Sequence, residues 1–256
     1  MRLTALIILL FLALPVFASG EEVVLGLSSD HVSITTSFDG SEILIFGAVK
    51  REEPINTEEP LHVIITLAGP SDPVVVRRKA KWKGFIWVNT DSLEVDHAPS
   101  FYAVATTAPM AEVLTSTEDL REKVSLEHAI RSVGAPGTIE DAEHFTDAVI
   151  RIRQNAGLYQ TLIGQVALDQ ETLFRTAISL PANLTEGDYT TRIFLTRGGQ
   201  IISSHETTIG VRKVGLERWL FILSRQQSVL YGLMSLAIAI AAGWGASAAF
   251  QLLRRR

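Results

Sequence analysis

Apolar and polar side chains alternate over much of the chain between Glu22 and Pro109, which is the pattern of strands with one buried face. The segment HVSITTSF, residues 31–38, shows it clearly, with Val32 and Ile34 on the apolar face. Four further runs, each bounded by Gly, Pro, Asn or Asp, are LHVIITLAG, DPVVVRRK, GFIWVN and SFYAVATT. These patterns predict that residues 19–110 form a β-rich region of the immunoglobulin-like sandwich type.

The segment FDGSEILIFGAVKR, residues 38–51, departs from this pattern because both of its faces are apolar. As a strand it would place its isoleucines and Val49 on one face and Leu44 and Phe46 on the other. We expect helices of the same chain to cover that second face; the alternative is a partner surface at Leu44 and Phe46. A glycine inside the run, Gly47, indicates a bulge or a close approach of another backbone.

The hydrophobic period changes to that of helices over residues 111–157, which are predicted to be a two-helix insertion. Thr115 and Glu118 form a capping-box pattern before the first helix, which we expect to end at the Gly-Ala-Pro-Gly sequence of 134–137. A second helix follows, with its C-terminal cap at Gly157. Each helix has an apolar stripe, and the stripe residues are Leu120, Val124, Ile130 and Val133, then Ile139, Ala142, Phe145, Val149 and Ile152.

Alternation returns after Leu158, so residues 158–213 are predicted to be β-rich again. The segment GDYTTRIFLTRGGQIISSHETTIGV predicts a hairpin, because Gly198-Gly199 between two alternating runs is a strong turn signal. Tyr189, at the entry of its first strand, resembles the tyrosine corner of sandwich domains. Two arrangements stay open at this point, because these strands either complete the sandwich of 19–110 or form a second one.

The N-terminal segment has the composition of a secretory signal peptide. Residues 1–18 contain one positive charge at Arg2, an apolar stretch too short to span a bilayer, and small residues before the expected cleavage site. Cleavage is predicted before Ser19, with a second acceptable position before Glu21. A translocated N-terminus places the following domain outside the cytoplasm.

The C-terminal segment is predicted to cross a membrane once. Residues 229–253 contain no charge and would extend about 37 Å at ~1.5 Å per residue, which is enough to span a bilayer. Residues 214–227 are predicted to form a helix at the membrane surface, and residues 254–256 a short cytoplasmic tail. Small residues in the span indicate a packing surface for another membrane helix, and they include Gly243, Gly245 and Ala249.

Charge is distributed unevenly over the exported part. Residues 21–215 contain 17 Lys and Arg against 27 Asp and Glu, a formal net charge of −10, which argues against a nucleic-acid partner. Five cations nevertheless surround Trp82, namely Arg77, Arg78, Lys79, Lys81 and Lys83. They indicate contact with an anion or with anionic lipid headgroups. The favoured interpretation is a solvated hairpin, or simple pairing with Glu52, Glu53, Glu58 and Glu59.

No sequence motif of catalysis or metal binding occurs in the chain. The six histidines lack zinc-site spacing, the chain has no cysteine, and nucleophile-elbow, dinucleotide and phosphate-loop motifs are missing. Asp96-His97 is the best isolated acid–histidine pair, but neighbours in a loop need not face each other. We therefore expect no catalytic residue, no cofactor and no metal site.

Several segments, in order along the chain, resemble a single family. They are FDGSEILIFGAVKR, GFIWVN, FYAVAT, LPANLTEGDYTTRIFLTRGG and RKVGLERWL, followed by a glycine-bearing terminal span. On these segments the chain resembles the putative transmembrane protein family of alphaproteobacteria over essentially its whole mature length. The resemblance implies a bacterial inner-membrane protein with a periplasmic domain, and it points to a sulfite-exporter-like permease as a partner. It implies no catalytic residues.

Two functions from different classes are compatible with these features. The first is a noncatalytic, membrane-anchored periplasmic module that acts as an accessory to a multi-span inner-membrane protein such as a transporter. A single anchor and a cytoplasmic tail too short for a signalling domain favour this function. The alternative is a membrane-anchored envelope hydrolase that uses carboxylate residues, because Asp and Glu are plentiful and their convergence cannot be seen in the sequence.

Overall fold

A computed structural model describes residues 21–29, 31–34, 38–51, 59–130, 142–213 and 216–254. Within them the protein is mainly β, with a helical insertion and one apolar helix at the C-terminal end, so the predicted fold class is confirmed. The immunoglobulin-like detail stays a prediction. The predicted signal peptide, residues 1–18, lies outside the described residues.

The described strands and helices are numbered in chain order. The strands are β1 Glu22–Leu27, β2 His31–Ile34, β3 Ser41–Lys50, β4 Leu61–Ala68, β5 Ser71–Trp82, β6 Ile86–Pro99, β7 Tyr102–Thr106, β8 Tyr159–Leu162, β9 Ala167–Asp169, β10 Leu173–Leu180, β11 Gly187–Arg197 and β12 Gln200–Lys213. The helices are α1 Met110–Val113, α2 Ser116–Glu122, α3 Leu126–Ala129, α4 Ala142–Asn155, α5 Leu216–Gln226 and α6 Ser228–Arg254.

Two sheets pack face to face and form a sandwich. The four-stranded sheet has the order β1-β3-β10-β9, and the six-stranded sheet has the order β2-β12-β11-β4-β7-β8. Both contribute to one buried core, for example through Ile45 and Phe174 on the first sheet and Val63 and Ile193 on the second. Strands from before and after the helical insertion pair directly in each sheet. The later strands therefore complete the first sandwich and do not build a second one.

A third layer covers the other face of the six-stranded sheet. Helices α1, α3 and α4 and the base of the β5–β6 hairpin enclose a second core there. The members of this core include Ile64, Val95, Tyr102, Val104, Val124 and Val149. Strand β4 lies between the two cores, and all five residues from Val63 to Leu67 are buried. The six-stranded sheet is therefore covered on both faces where β4 passes through it.

The first predicted helix is wrong in its length, because two short helices take its place. The capping box is confirmed, since the Thr115 side chain accepts a hydrogen bond from the Glu118 backbone N–H. Helix α2 then stops at Lys123, which is left-handed with φ 53°. The Asp119 carboxylate accepts the backbone N–H groups of Val124 and Ser125, which holds the chain in this turn. The Gly-Ala-Pro-Gly sequence predicted as the helix end lies outside the described residues.

The second predicted helix corresponds to α4, and its expected C-terminal cap is confirmed. Gly157 has φ +73°, the left-handed conformation that glycine adopts at helix ends. Phe145 and Val149 of the predicted apolar stripe are buried, whereas Ile152 is 61% exposed. The predicted position Ile139 lies outside the described residues.

The predicted hairpin is confirmed, and Tyr189 makes the hydrogen bond expected of a tyrosine corner. Strands β11 and β12 are joined by Gly198 and Gly199, which have φ +55° and +76°, as a two-residue hairpin turn requires. The hydroxyl of Tyr189 donates to the carbonyl of Thr185 at 2.9 Å, which is the hydrogen bond of a tyrosine corner. The ring of Tyr189 lies 6.1 Å from that of Phe101 inside the sandwich core.

The C-terminal helices follow the last strand. Helix α5 exposes Trp219 and Phe221, and backbone hydrogen bonds link its end to the start of α6. Within the described residues, the stretch Ser228–Ser247 of α6 is long and apolar enough to cross a membrane. This supports a single-pass membrane topology.

Candidate functional site

The outer face of the four-stranded sheet is apolar and exposed. Leu44 and Phe46 are 42% and 43% exposed, and the neighbouring strands add Val24 and Leu173 at 52% and 56%. The strand register places Val24 and Leu173 on either side of Ala48. We call these five residues the open face.

The expectation that helices of the same chain cover this face is wrong. Phe145 is buried elsewhere, with the guanidinium of Arg78 4.6 Å from its ring centroid. Leu120 is 63% exposed. The helices pack on the six-stranded sheet, because they connect β7 to β8, and these strands are parallel neighbours in that sheet. A crossover helix between parallel strands packs back on the sheet that contains them.

Two glycines lie on opposite faces of the sheet at β3 and its neighbour β1. A Cβ at Gly47 would lie 2.4 Å from the buried Phe174 ring and 2.6 Å from the carbonyl oxygen of Val24. The pairing around Gly47 has no register shift, so the glycine marks a close approach and not a bulge. On the open face, a Cβ at Gly26 would meet the ring of Phe46 at 2.5 Å. Phe46 therefore lies across the glycine of the neighbouring strand.

Charged and polar residues border the open face. At one end, Lys50 pairs with Glu22 at 3.4 Å, and both side chains are well exposed. Beside Phe46, the register places Arg175, whose guanidinium is 4.0 Å from Asp169. An apolar centre with a polar rim is the ordinary anatomy of a protein–protein interface.

The β5–β6 hairpin carries the basic cluster and forms a second exposed surface. At its base, Leu93 and Val95 are buried, whereas every residue from Lys81 to Thr90 is exposed. We call residues 77–90 the arm. It contains Arg77, Arg78, Lys79, Lys81, Trp82 and Lys83, which the sequence singled out.

Three cations of the arm contact aromatic rings. Arg78 contacts the Phe145 ring and lies 3.8 Å from Asp91, while Lys81 and Lys83 lie over the rings of Trp87 and Trp82 at 5.3 and 4.5 Å. Of the glutamates expected to pair with the cluster, Glu59 lies against the Gly198 turn. Glu52, Glu53 and Glu58 lie outside the described residues.

The glycines predicted to pack against another membrane helix lie in open space. A Cβ at Gly243 or Gly245 would meet no atom within 4 Å. Ala249 belongs to the same helix, and its side chain lies outside the described part. Whether these positions contact another helix stays a prediction.

A Ser–His–Asp cluster that sequence reasoning missed lies at the α2–α3 turn. The Asp119 carboxylate is 2.9 Å from His128 Nδ1, and the Ser125 hydroxyl is 3.0 Å from the same nitrogen. A nucleophilic relay needs the hydroxyl and the carboxylate on opposite ring nitrogens. Because both contact Nδ1, the cluster is a turn-stabilising network. The spacing of Ser125 and His128, three residues apart, was the available sequence signal.

A partly buried ion cluster ties the two sheets together at their ends. Glu21 accepts from Arg51 Nε at 2.6 Å and from Arg197 Nη2 at 3.1 and 3.2 Å. Arg51 also donates to Thr172 Oγ1 at 3.3 Å and to the carbonyl of Glu171. These residues are far apart in sequence, so no local signal could have identified the cluster. The one Glu21 carboxylate pairs with both guanidinium groups, which indicates a structural role.

Three buried tyrosines have raised pKa values because burial disfavours the phenolate. Burial raises the pKa of Tyr102 to about 12, and it also raises the pKa values of Tyr159 and Tyr189. Their hydroxyls donate to the carbonyls of Val124, Pro99 and Thr185, respectively. They remain protonated at neutral pH and join elements of the fold.

Two further features bear on catalysis. Among the described residues, no group of three His, Cys, Asp or Glu side chains is placed to hold a metal ion. A cleft of about 510 Å³ between α3 and α4 is lined by Glu127, Glu143 and Asp147 with apolar neighbours and Thr146. The described lining offers no histidine, lysine or arginine to assist these carboxylates.

Comparison with known proteins confirms the family resemblance. A family model described as Putative transmembrane protein (Alph_Pro_TM) matches residues 22–252. No curated protein matches the chain. The crystal structure of the sporulation control protein Spo0M from Bacillus subtilis is similar at 12% identity and a TM-score of 0.26, with 77% of this chain and 50% of that chain covered. This chain thus spans about half the length of that protein, and a likeness at this TM-score carries no functional argument.

Proposed function

Because the chain belongs to the Alph_Pro_TM family of transmembrane proteins, we propose that it is a membrane-anchored interaction module without catalytic activity. Its partner is a multi-span protein of the same membrane, such as a transporter. The family description names no activity. The resemblance to proteins of alphaproteobacteria favours a sulfite-exporter-like permease as that partner.

The open face is the observation that carries the proposal. It groups Val24, Leu44, Phe46 and Leu173 on one side of a sheet, where each is between 42% and 56% exposed. An apolar group of this kind on a sheet face loses unfavourable contact with water when a partner covers it. Lys50 and Glu22 pair at one end of the face, and Arg175 beside Phe46 lies 4.0 Å from Asp169.

The membrane helix supports a partner in the same bilayer. Helix α6 anchors the domain, so a partner in that membrane is held at high effective concentration. Gly243, Gly245 and Ala249 would allow a second membrane helix to approach closely. We propose that these positions and the open face contact one partner.

The location proposed is the bacterial inner membrane, with the sandwich in the periplasm and the C-terminus in the cytoplasm. The signal-peptide pattern of residues 1–18 supports this orientation. The chain has no cysteine, so a single cysteine at Gln200 would be its only thiol. A membrane-impermeant maleimide should label Q200C in intact spheroplasts; labelling only after lysis would reverse the orientation.

Co-purification from detergent-solubilised native membranes tests the function. The tagged full-length chain is compared with L44S/F46S, which makes the open face polar. The matched control is I163S/I202S, because these two isoleucines are 52% and 42% exposed outside the open face. We expect a stoichiometric integral-membrane partner with the wild type and the control, and its loss with L44S/F46S.

Two results would contradict the proposal. A partner retained equally by all three proteins would show that the open face is not the contact. A self-sufficient monomer that turns over a substrate would favour the hydrolase alternative. Circular dichroism of each variant confirms that lost binding does not reflect lost folding.

A further inference from the structure

The arm has the structure of a projecting element whose outer half nothing in the described chain covers. Its base is fixed, because Val95 is fully buried and Arg78 contacts Phe145 of α4. Beyond Arg78, the strands continue as a two-stranded ribbon to a turn at Lys83 and Gly84. At ~3.3 Å per residue, the stretch from Arg77 to Trp82 extends about 20 Å.

The tip of the arm is apolar on both faces of the ribbon. Trp82 pairs with Ile86 and so shares a face with it, while Trp87 pairs with Lys81 on the opposite face. Phe85 lies in the turn between the strands. The four apolar side chains are between 45% and 71% exposed. A partner on one face would leave the other face in water, whereas a bilayer surrounds an inserted tip on all sides.

Cations stand immediately behind this tip. Arg77, Lys79 and Lys81 alternate with other residues along β5 and therefore share one face of the ribbon. Lys79 is three residues from Trp82, a distance of about 10 Å along a strand at ~3.3 Å per residue. Residues 73–90 contain no Asp or Glu, although the chain as a whole is acidic.

This arrangement matches the layers of an anionic membrane surface. Tryptophan and other apolar side chains enter the boundary between headgroups and acyl chains to a depth of roughly 5–10 Å, and cations remain near the phosphates. The bilayer is also the surface that α6 keeps close to the domain. The described structure shows no comparable feature that favours a protein as the partner of the arm.

We propose that the arm inserts its tip into the surface of a membrane rich in anionic phospholipid. Trp82, Phe85, Ile86 and Trp87 enter the interfacial layer, and Arg77, Lys79 and Lys81 bind lipid phosphates. The arm thereby provides a second attachment of the domain to the bilayer. This inference does not rest on the open face, and the two are tested with different variants.

A fluorophore at the tip tests the inference in the full-length chain. NBD is attached to F85C, the only thiol of the variant, and the protein is placed in nanodiscs of phosphatidylcholine with or without phosphatidylglycerol. We expect higher NBD emission, and quenching by lipids brominated near the headgroup, only with phosphatidylglycerol. Salt should reverse both effects, since it screens surface charge.

Charge variants in the F85C background provide the matched comparison. R77Q/K79Q/K81Q removes three cations behind the tip, which should lower its partition into the anionic surface on the order of 100-fold. R121Q/K123Q/R151Q removes three exposed cations outside the arm and the open face and should leave the signal unchanged. The two triple variants change net charge equally.

Three results would overturn the inference. The first is a tip that stays in water in both kinds of nanodisc. The second is insertion that is independent of phosphatidylglycerol or equal in the two triple variants. The third is a tip shielded in native membranes but not in anionic nanodiscs, which would indicate a protein as the occupant.

Discussion

Strands β3 and β4 are both apolar on both faces, yet their surroundings differ. In β4 the residues Val63 to Leu67 are all buried, because one face meets the sandwich core and the other meets the helical layer. In β3 only the inner face is buried, and Leu44 and Phe46 remain partly in water. A run that is apolar on both faces therefore indicates that both faces of the strand can be buried. Whether the same chain buries the second face depends on the chain topology.

Truncating one side chain on the outer face of each strand should give the largest difference in the free energy of unfolding. Ile64→Ala leaves a cavity between β4 and the helical layer and should lower the free energy of unfolding by about 2–5 kcal/mol. Leu44→Ala on the open face should cost less than about 1 kcal/mol, since its side chain is already half in water. Urea denaturation of the detergent-solubilised full-length chain measures both, and equal losses would mean that the open face is covered.

Adding a methyl group to Gly47 of β3 and to Gly26 of β1 should give an intermediate difference in the free energy of unfolding. Gly47→Ala forces a Cβ against the buried Phe174 ring and the Val24 carbonyl, which should cost about 1–3 kcal/mol. In Gly26→Ala the nearest atoms to the new Cβ belong to the ring of Phe46, which is 43% exposed and can shift toward solvent. Its expected cost is smaller, and thermal denaturation of the two variants side by side would refute the difference if their midpoints coincide.

Removing the Tyr102 hydroxyl should give the smallest effect. Tyr102→Phe loses the 2.7 Å hydrogen bond to the Val124 carbonyl, which joins the six-stranded sheet to the helical layer, at a cost of about 1 kcal/mol. The folded pKa of about 12 lies above the ordinary value of 10, so this tyrosine stabilises the fold fully below pH 10 and progressively less as pH rises to 12.

The variant should therefore lose less stability than the wild type between pH 10 and 12. The stability of the variant should still fall with pH in part, because burial also raises the pKa values of Tyr159 and Tyr189. Tyr231→Phe in the membrane helix is the control for loss of a hydroxyl. Identical slopes for Tyr102→Phe and the wild type, measured by urea denaturation at each pH, would contradict the assignment.

Local sequence signals predicted most helices, strands and turns, but they did not predict which distant strands pair. The turn at Gly198-Gly199, the cap at Gly157 and the capping box at Thr115 depend on neighbouring residues and were correctly identified. The helical layer was assigned to the wrong sheet, because its position follows from the parallel pairing of β7 with β8. Sequence periodicity does not reveal which strands pair.

The candidate surfaces were predictable in part. Leu44, Phe46 and the basic cluster stood out by composition, because they depart from the pattern around them. Val24 and Leu173 were not identified, because strand pairing brings them to the open face. The apolar tip of the arm was not recognised, because its exposure depends on where the hairpin leaves the packed base at Leu93 and Val95. The ion cluster at Glu21 joins residues 176 positions apart and has no local signature.

The pairing of strands across the helical insertion also constrains how the domain folds. Strand β3 pairs with β10, and β4 pairs with β11, so each sheet is incomplete until both parts of the chain are present. Contacts this distant in sequence require closure of long loops, which slows folding to the range of milliseconds to seconds typical of β-sandwiches. As the chain is synthesised, β3 and β4 therefore each keep an unpaired edge until β10 and β11 have emerged from the ribosome.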